Sequence, residues 1–147
     1  MASRRIEDCV PPLAAAWEAL AKAFHEEYVG WKAVVVCTHR PPEEQFEIFK
    51  KGRKLSNGRW VIEDEAKVLT LKDGFKLRGR HNDFPARALD IEVYSPDNRK
   101  YWDTVSSVEK GTLINPWLWL LDAAPRYGLV NGGSWATLQD WPHFQLS

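Results

Sequence analysis

Apolar residues recur along three segments of the chain at the spacing of one helical face. In PPLAAAWEALAKAFHEEYV, prolines open the segment and apolar residues repeat every three or four positions. In HRPPEEQFEIFKKG, Pro42 and the two glutamates after it suit a helix start, and Gly52 suits a stop. In INPWLWLLDAAPRYG, Asn115 can cap a helix that Pro125 ends or kinks. These patterns predict three helices.

Two-residue alternation and short apolar runs predict the strands. AVVVCT, starting at Ala33, is β-branched and short enough to be a buried strand. WATLQDWPHFQLS predicts a closing strand on which His143 and Gln145 share one face. ARALDIEVY alternates most regularly and is the clearest strand. Its core face consists of Leu89, Ile91 and Val93, and its opposite face of Ala88, Asp90, Glu92 and Tyr94.

Residues 53–79 contain the turn signals SNGR and KDGF between short extended pieces, which predicts a hairpin or a long excursion over the surface. Taken together, the elements predict an α+β fold with a small, mostly antiparallel sheet flanked by helices. The chain of 147 residues has the length of one ordinary domain and contains no internal repeat. We therefore expect a single domain over residues 1–147.

The charge balance narrows the range of partners. The chain has 20 basic and 20 acidic residues, so it lacks the positive field that draws proteins to nucleic acid. No apolar run approaches the length of a membrane span, so we expect no stable membrane insertion. We also expect a monomer. Basic residues do concentrate around His81, where they either receive a small anionic ligand or form a solvated face. They are Lys72, Lys76, Arg78, Arg80 and Arg87.

The cysteines and the N-terminal residues indicate a reducing compartment. Cys9 and Cys37 are too few for a disulfide framework, and Cys37 ends an apolar run, which predicts a buried, reduced thiol. MASRRIEDCVPP has two arginines but no apolar segment after them, so it does not resemble a secretory signal. We expect a protein that is made and held in a cytoplasm.

Candidate chemistry centres on Asp90, which lies on the polar face of a predicted core strand. His81 lies in the loop before that strand, and His143 lies on another strand. Two imidazoles and one carboxylate are a ligand set that zinc takes readily, with a fourth position left for water. Zinc lowers the pKa of such a water from about 16 toward 7. Asp140 is near enough to His143 in sequence to act as a general base. The spacing alone leaves open that these are ordinary surface residues.

Three sequence blocks, in order, resemble the zinc D-Ala-D-Ala carboxypeptidase and L-alanyl-D-glutamate peptidase family, which has the hedgehog/DD-peptidase fold. CTHRPPEEQFEIFKKGR resembles the block with an arginine after a strand, and RHNDFPARALDIEVY resembles the block with the first zinc histidine and the aspartate. NGGSWATLQDWPHFQL resembles the closing signature, in which an acid precedes the histidine of PHF by three positions. The resemblance covers most of the chain from Val34 to Leu146.

The resemblance implies a role for each matching residue. His81, Asp90 and His143 would bind one catalytic zinc ion, and Asp140 would be the catalytic base. Arg40 would bind substrate and stabilise the anionic tetrahedral intermediate, although it could instead form a structural ion pair with a glutamate. Separately, two tryptophans beside the closing motif could line a substrate groove or belong to the core. They are Trp135 and Trp141.

The sequence departs from the family pattern at two places. Gly79 stands two residues before His81, where the family usually has serine, and the loop from His81 to Asp90 is two residues longer than in the commonest pattern. Glu92 shares a face with Asp90, where it either orients a ligand or is a solvated carboxylate. Asp140 is the acid found in members that resemble phage lysins, whereas some relatives have glutamate there.

These features favour a peptidoglycan L-alanyl-D-glutamate endopeptidase that acts as a phage or prophage endolysin. Such a lysin would wait in the host cytoplasm and reach the bacterial peptidoglycan through a membrane pore. The nearest alternative is a D-Ala-D-Ala carboxypeptidase or dipeptidase with the same metal ligands. A second alternative is a catalytically silent binding protein of the same fold, as the hedgehog signalling domain illustrates. A nucleic-acid binder that uses the basic loop has the least support.

Overall fold

The computed structural model describes residues 1–102, 115–136 and 138–147. Within these ranges, the helices are α1 (Pro11–Glu27), α2 (Pro42–Phe49) and α3 (Pro116–Ala123). The strands are β1 (Lys32–Cys37), β2 (Arg53–Ser56), β3 (Arg59–Ile62), β4 (Ala88–Tyr94), β5 (Leu129–Gly132) and β6 (Asp140–Leu146). Short 3-10 turns occupy Ile6–Asp8, Glu65–Lys67, Arg80–Asn82 and Ala124–Tyr127.

The α+β architecture is confirmed. Four strands form an antiparallel sheet in the order β1-β4-β6-β5, and β2 with β3 forms a separate antiparallel pair. Helices α1 and α3 supply much of the core that packs on one face of the larger sheet. Within the described ranges, no helix has the length and apolar character needed to cross a membrane.

The core forms on the face that the alternation predicts. Leu89, Ile91 and Val93 of β4 are buried, and they belong to one cluster with side chains of α1, α3 and the neighbouring strands. The buried residues of α1 follow its apolar stripe, and the ring of Trp17 lies 5.4 Å from that of Phe144 on β6. Burial of this apolar area holds the sheet to the helices. The helix and core-strand contributors are Leu13, Trp17, Leu20, Phe24, Trp117, Leu120, Leu129 and Phe144.

The predicted helix cap and hairpin turn are both present. The Asn115 side-chain oxygen accepts a hydrogen bond of 2.8 Å from the Trp117 amide, and α3 gives way to a 3-10 turn at Ala124. Asn57 and Gly58 have φ of 51° and 76°, which are the positive values that a tight turn between β2 and β3 requires. SNGR is therefore a hairpin turn.

The rest of residues 53–79 crosses the surface without further strands. At KDGF, Asp73 Oδ1 accepts bonds of 2.9 Å from the Phe75 and Leu77 amides, so the side chain closes a local turn. The predicted extended piece KVLTL forms no strand, because it has no neighbouring strand to pair with in the described ranges.

The closing strand differs from its prediction. Strand β6 begins at Asp140 rather than at Trp135, and β5, which the sequence pattern does not predict, pairs with it. Gly132 pairs with Asp140 next to a register shift, and Trp135 lies before β6 rather than within it. This irregularity accommodates Pro142 within a strand that has neighbours on both sides.

Candidate metal centre

Three neighbouring strands bring chemically reactive side chains into one row. Asp90 on β4 pairs with His143 on β6 and with Cys37 on β1. Directly opposed residues of antiparallel strands project from the same face, so the three side chains lie side by side. The register between β1 and β4 shifts after Val35, which pairs with Ile91, so Val36 is an extra residue. This bulge brings Cys37 opposite Asp90.

His81 enters the row from the 3-10 turn before β4. The Arg40 amide donates to the His81 carbonyl over 2.7 Å, and the Asn82 side chain donates to the Arg40 carbonyl over 3.0 Å, which ties the turn to the end of β1. The His81 Nδ1 donates to the Thr38 carbonyl over 2.7 Å. Its Nε2 lies 3.1 Å from Asp90 Oδ1.

His143 is held in the complementary orientation. Its Nε2 donates to Gln145 Oε1 over 2.8 Å, and its Nδ1 lies 3.5 Å from Asp90 Oδ1. The same Nδ1 lies 4.0 Å from Asp140 Oδ2. The two imidazole centroids are 5.1 Å apart with the rings almost perpendicular. The predicted set of His81, Asp90, His143 and Asp140 therefore converges on one site.

The hydrogen bonds determine what can occupy the space between these groups. A carbonyl oxygen only accepts, so the His81 Nδ1 that faces Thr38 carries a hydrogen. Its Nε2 faces a carboxylate oxygen, which also only accepts. The contact therefore requires either a second proton on the ring or a cation between nitrogen and carboxylate.

The distance from Asp90 to each of the two imidazoles suits a shared tetrahedral ion. Two ligand atoms that each lie about 2.0–2.1 Å from tetrahedral zinc are about 3.3 Å from each other. The 3.1 Å and 3.5 Å separations from Asp90 Oδ1 to the two imidazole nitrogens bracket that value. Donor atoms of Asp90, Asp140 and His143 all lie within 4.8 Å of one another, as do those of Cys37, His81 and Asp90. The residues present thus provide two donor sets for a divalent cation, which share Asp90. His81 and His143 belong to different sets, so binding of one ion by both histidines and Asp90 requires the imidazoles to move closer together.

The pKa values of His81, Asp90 and Asp140 reflect the burial, charges and hydrogen bonds of the site. Burial disfavours charge on His81, but the hydrogen bond and negative charge of Asp90 outweigh it and raise the pKa of His81 to about 10. Burial likewise works against the Asp90 anion, yet bonds to both histidines keep the pKa of Asp90 well below its ordinary value. For Asp140, burial and then the charge of Asp90 raise the pKa above its ordinary value.

Arg40 lies within the site rather than beside a glutamate. Its Nη2 contacts Asp90 Oδ2 at 3.4 Å and Cys37 Sγ at 3.5 Å, and its Nη1 donates to Gln45 Oε1 over 2.9 Å. The side chain is only 16% exposed, so the guanidinium is fixed rather than freely solvated. A fixed cation beside the donor row can meet negative charge that develops there.

These residues open into a cleft of about 660 Å³. Arg40, His81, Asp90, Asp140 and His143 line it together with aliphatic side chains of residues 48–71. Trp135 also lines the cleft, with its ring centroid 4.9 Å from that of His143.

Trp141 is not among the described residues that line the cleft. Its ring lies against the backbone of Gly133, and the residue packs against the hydrophobic core. Glu92 is also directed elsewhere, since Lys100 and the Tyr94 hydroxyl each approach its carboxylate to 2.8 Å. Glu92 is therefore better described as an ion-paired surface carboxylate than as a group that orients a ligand.

Sequence reasoning missed four groups that support the site. Gln145 could have been found, because it shares a strand face with His143. Cys37 is buried as expected, but its Sγ lies 3.9 Å from His81 Nδ1 only because of the bulge at Val36. The Thr38 carbonyl and the buried Gln45 amide carry no sequence signal for their roles, since both act through tertiary hydrogen bonds.

Comparison with known proteins identifies the fold. The crystal structure of Serratia marcescens L-Ala D-Glu endopeptidase ChiX is similar to this chain, with a TM-score of 0.62 and 18% sequence identity. The similarity covers 100% of this chain and 89% of that chain. No model of a protein family matches the sequence, and no curated protein matches it. The chain therefore has the α+β fold seen in this endopeptidase.

Proposed function

We propose that the chain is a zinc-dependent peptidase that cleaves the L-alanyl-D-glutamate bond of the peptidoglycan stem peptide. The observation that carries the proposal is that Asp90 Oδ1 lies 3.1 Å from His81 Nε2 and 3.5 Å from His143 Nδ1, so one carboxylate oxygen joins two imidazoles in a ligand set that zinc binds readily. The fold shared with an L-Ala D-Glu endopeptidase supports this choice of substrate.

In this proposal, His81, Asp90 and His143 would hold the zinc ion, which would supply Lewis acidity and lower the pKa of water to about 7. The Thr38 carbonyl and Gln145 orient the two imidazoles, and such outer partners make ligands more basic. Asp140 accepts the proton of the attacking water. Burial and the charge of Asp90 raise the pKa of Asp140 in the metal-free chain, and its position 4.0 Å from His143 Nδ1 places it beside the proposed ion.

Arg40 stabilises the transition state in this proposal. Its guanidinium is held by Gln45 and Asp90, so it meets the developing oxyanion without reorganising. Trp135 contributes an apolar wall for the peptide. Trp141 packs against the core, which favours its structural role over the substrate-binding role that the sequence leaves open.

The biological role in this proposal is that of a phage or prophage endolysin. The single domain acts as a monomer on the bacterial wall after it leaves the host cytoplasm through a membrane pore. Asp140 supports this choice over a D-Ala-D-Ala carboxypeptidase, because aspartate stands at this position in the lysin-like members of the family that the sequence resembles.

Metal analysis combined with digestion of defined stem peptides tests the proposal. We expect one zinc ion per chain, loss of activity on chelation, and return of activity with added zinc. Mass spectrometry should find new amino termini on D-glutamate. Release of free D-alanine alone would instead support the carboxypeptidase.

Histidine variants provide a matched control for the metal site. His143→Gln should lose zinc, whereas His39→Gln should keep it, since the His39 ring packs edge-on against Phe84 and does not line the cleft. Equal zinc content in both variants would contradict the assigned ligands.

A further inference from the structure

Two cations on the cleft wall have no partner within the described ranges. Lys72 and Arg80 both line the cleft and are exposed, and neither side chain forms an ion pair or a hydrogen bond with a described residue. The other two basic residues of the wall are occupied. Arg40 binds Asp90 and Gln45, and Arg78 donates to the Asn82 carbonyl over 2.5 Å.

The backbone that carries Lys72 is fixed. Gln45 Nε2 donates to the Lys72 carbonyl over 3.0 Å and to Thr70 Oγ1 over 3.3 Å, and Arg53 donates to the Thr70 carbonyl over 3.1 Å. The same Gln45 side chain binds Arg40, so the wall at residues 70–72 is positioned relative to the metal centre. A fixed wall reduces the ordering that a bound ligand would otherwise require.

Arg80 and Lys72 lie close to each other on this wall. Arg80 begins the 3-10 turn that carries His81, and its carbonyl accepts the Arg87 amide over 2.9 Å. A Cβ on the preceding Gly79 would lie 3.7 Å from Lys72 Cγ, so the lysine stem lies beside the residue next to Arg80. Lys72 and Arg80 thus line the cleft from adjacent backbone segments, and Arg80 directly precedes the proposed ligand His81.

We propose that Lys72 and Arg80 form an anion subsite that binds the free α-carboxylate of the glutamyl residue at the cleaved bond. This inference rests on the proposed function and names the form of stem peptide that the cleft accepts. When a peptide continues through the side-chain carboxyl of D-glutamate, its α-carboxylate remains free beside the scissile amide. Amidation to D-isoglutamine replaces that anion with a neutral carboxamide, whose amino group repels nearby donors.

A matched pair of peptides tests the subsite. The substrates are L-alanyl-γ-D-glutamyl-L-lysine and its D-isoglutamine counterpart, compared for the zinc-loaded wild type, Lys72→Gln and Arg80→Gln. We expect the wild type to favour the acid peptide about tenfold in kcat/KM. Each variant should lose most of that preference, because its kcat/KM should fall for the acid peptide but not for the amidated peptide. Arg80→Lys should retain it. Lys54→Gln removes one exposed charge outside the cleft and should change neither value.

Calorimetric binding of the product γ-D-glutamyl-L-lysine and its amidated form gives a second readout that does not need turnover. The subsite would be supported if the wild type bound the acid product more tightly than the amidated one and if Lys72→Gln and Arg80→Gln abolished that difference. This result would stand even if neither peptide is cleaved and the proposed function fails. Equal binding of the two products by the wild type would overturn the subsite, even if both peptides are cleaved and the proposed function stands.

Discussion

At the scale of single residues, two carboxylates approach the same nitrogen of His143 but differ in proton affinity. Hydrogen bonds from two histidines hold the pKa of Asp90 low, so it remains an anion that can bind a cation. Burial and the charge of Asp90 raise the pKa of Asp140, which forms no such pair of bonds. Neighbouring carboxyls whose pKa values are driven apart are typical of sites that separate a ligand from a base.

Replacing Asp140 with asparagine tests this division of roles. Asp140→Asn keeps the side-chain shape but cannot accept a proton, so kcat should fall by about 10²–10⁴ while zinc content stays unchanged. Metal analysis and peptide cleavage by the same preparation provide the measurement. Glu92→Gln is the control, because that carboxylate binds Lys100 and Tyr94 instead of facing the cleft. Undiminished cleavage by Asp140→Asn would rule out Asp140 as the base.

At the scale of elements, the site depends on how strands pair as much as on which residues they contain. The alternation in β4 was sufficient to predict that Asp90 faces away from Leu89 and Ile91, because side chains alternate strictly along a strand. The bulge at Val36 and the close approach of β5 to β6 could not be predicted, since both depend on the partner strand. Strand β5 itself is four residues long and carries no alternation to reveal it.

Gly132 shows how closely β5 and β6 approach beside the proposed base. A Cβ at this position would lie 2.2 Å from the Asp140 carbonyl oxygen, which no real structure tolerates without movement. Gly132→Ala should therefore reduce the free energy of unfolding by about 1–3 kcal/mol and lower kcat by displacing Asp140. Urea denaturation and peptide cleavage measure the two effects.

Gly79→Ala is the matched control for stability. Its added Cβ would meet nothing closer than the Asn82 side-chain oxygen at 3.5 Å, which is ordinary contact. We expect its free energy of unfolding to stay within about 0.5 kcal/mol of wild type. If the two variants were equally stable, the proposed steric role of Gly132 would be wrong.

At the scale of the whole molecule, one face of the larger sheet forms the core and the other face forms the candidate site. One face packs against α1 and α3, and the other carries Asp90 and His143 into the cleft. The fold class could be predicted, because helical and strand periodicities are local properties of the sequence. The cleft could not, since its second wall comes from residues 69–72, which Gln45 and Arg53 hold in place through tertiary hydrogen bonds.

Metal removal should destabilise the entire domain. The proposed ligands come from two β-strands and the turn before one of them, so an ion that binds only the folded chain stabilises the whole arrangement. Zinc at about 100 times its dissociation constant contributes about 2.7 kcal/mol, which corresponds to a rise of about 5–10 °C in Tm for a chain of this size. Thermal denaturation with zinc or with chelator measures the shift.

The same measurement on His143→Gln provides the control, because that variant lacks one ligand and should show little response to zinc. An identical Tm for the wild type with zinc and with chelator would argue against a resident ion.

The two histidines of the row are oriented by partners of different kinds. His143 depends on the Gln145 side chain, whereas His81 donates to the main-chain carbonyl of Thr38. A single substitution at Gln145 can therefore remove the hydrogen bond that orients His143. No side-chain substitution at position 38 removes the carbonyl oxygen that orients His81. Substitutions, whether natural or made in the laboratory, should thus alter the orientation of His143 on β6 more readily than that of His81, which the backbone at the end of β1 holds.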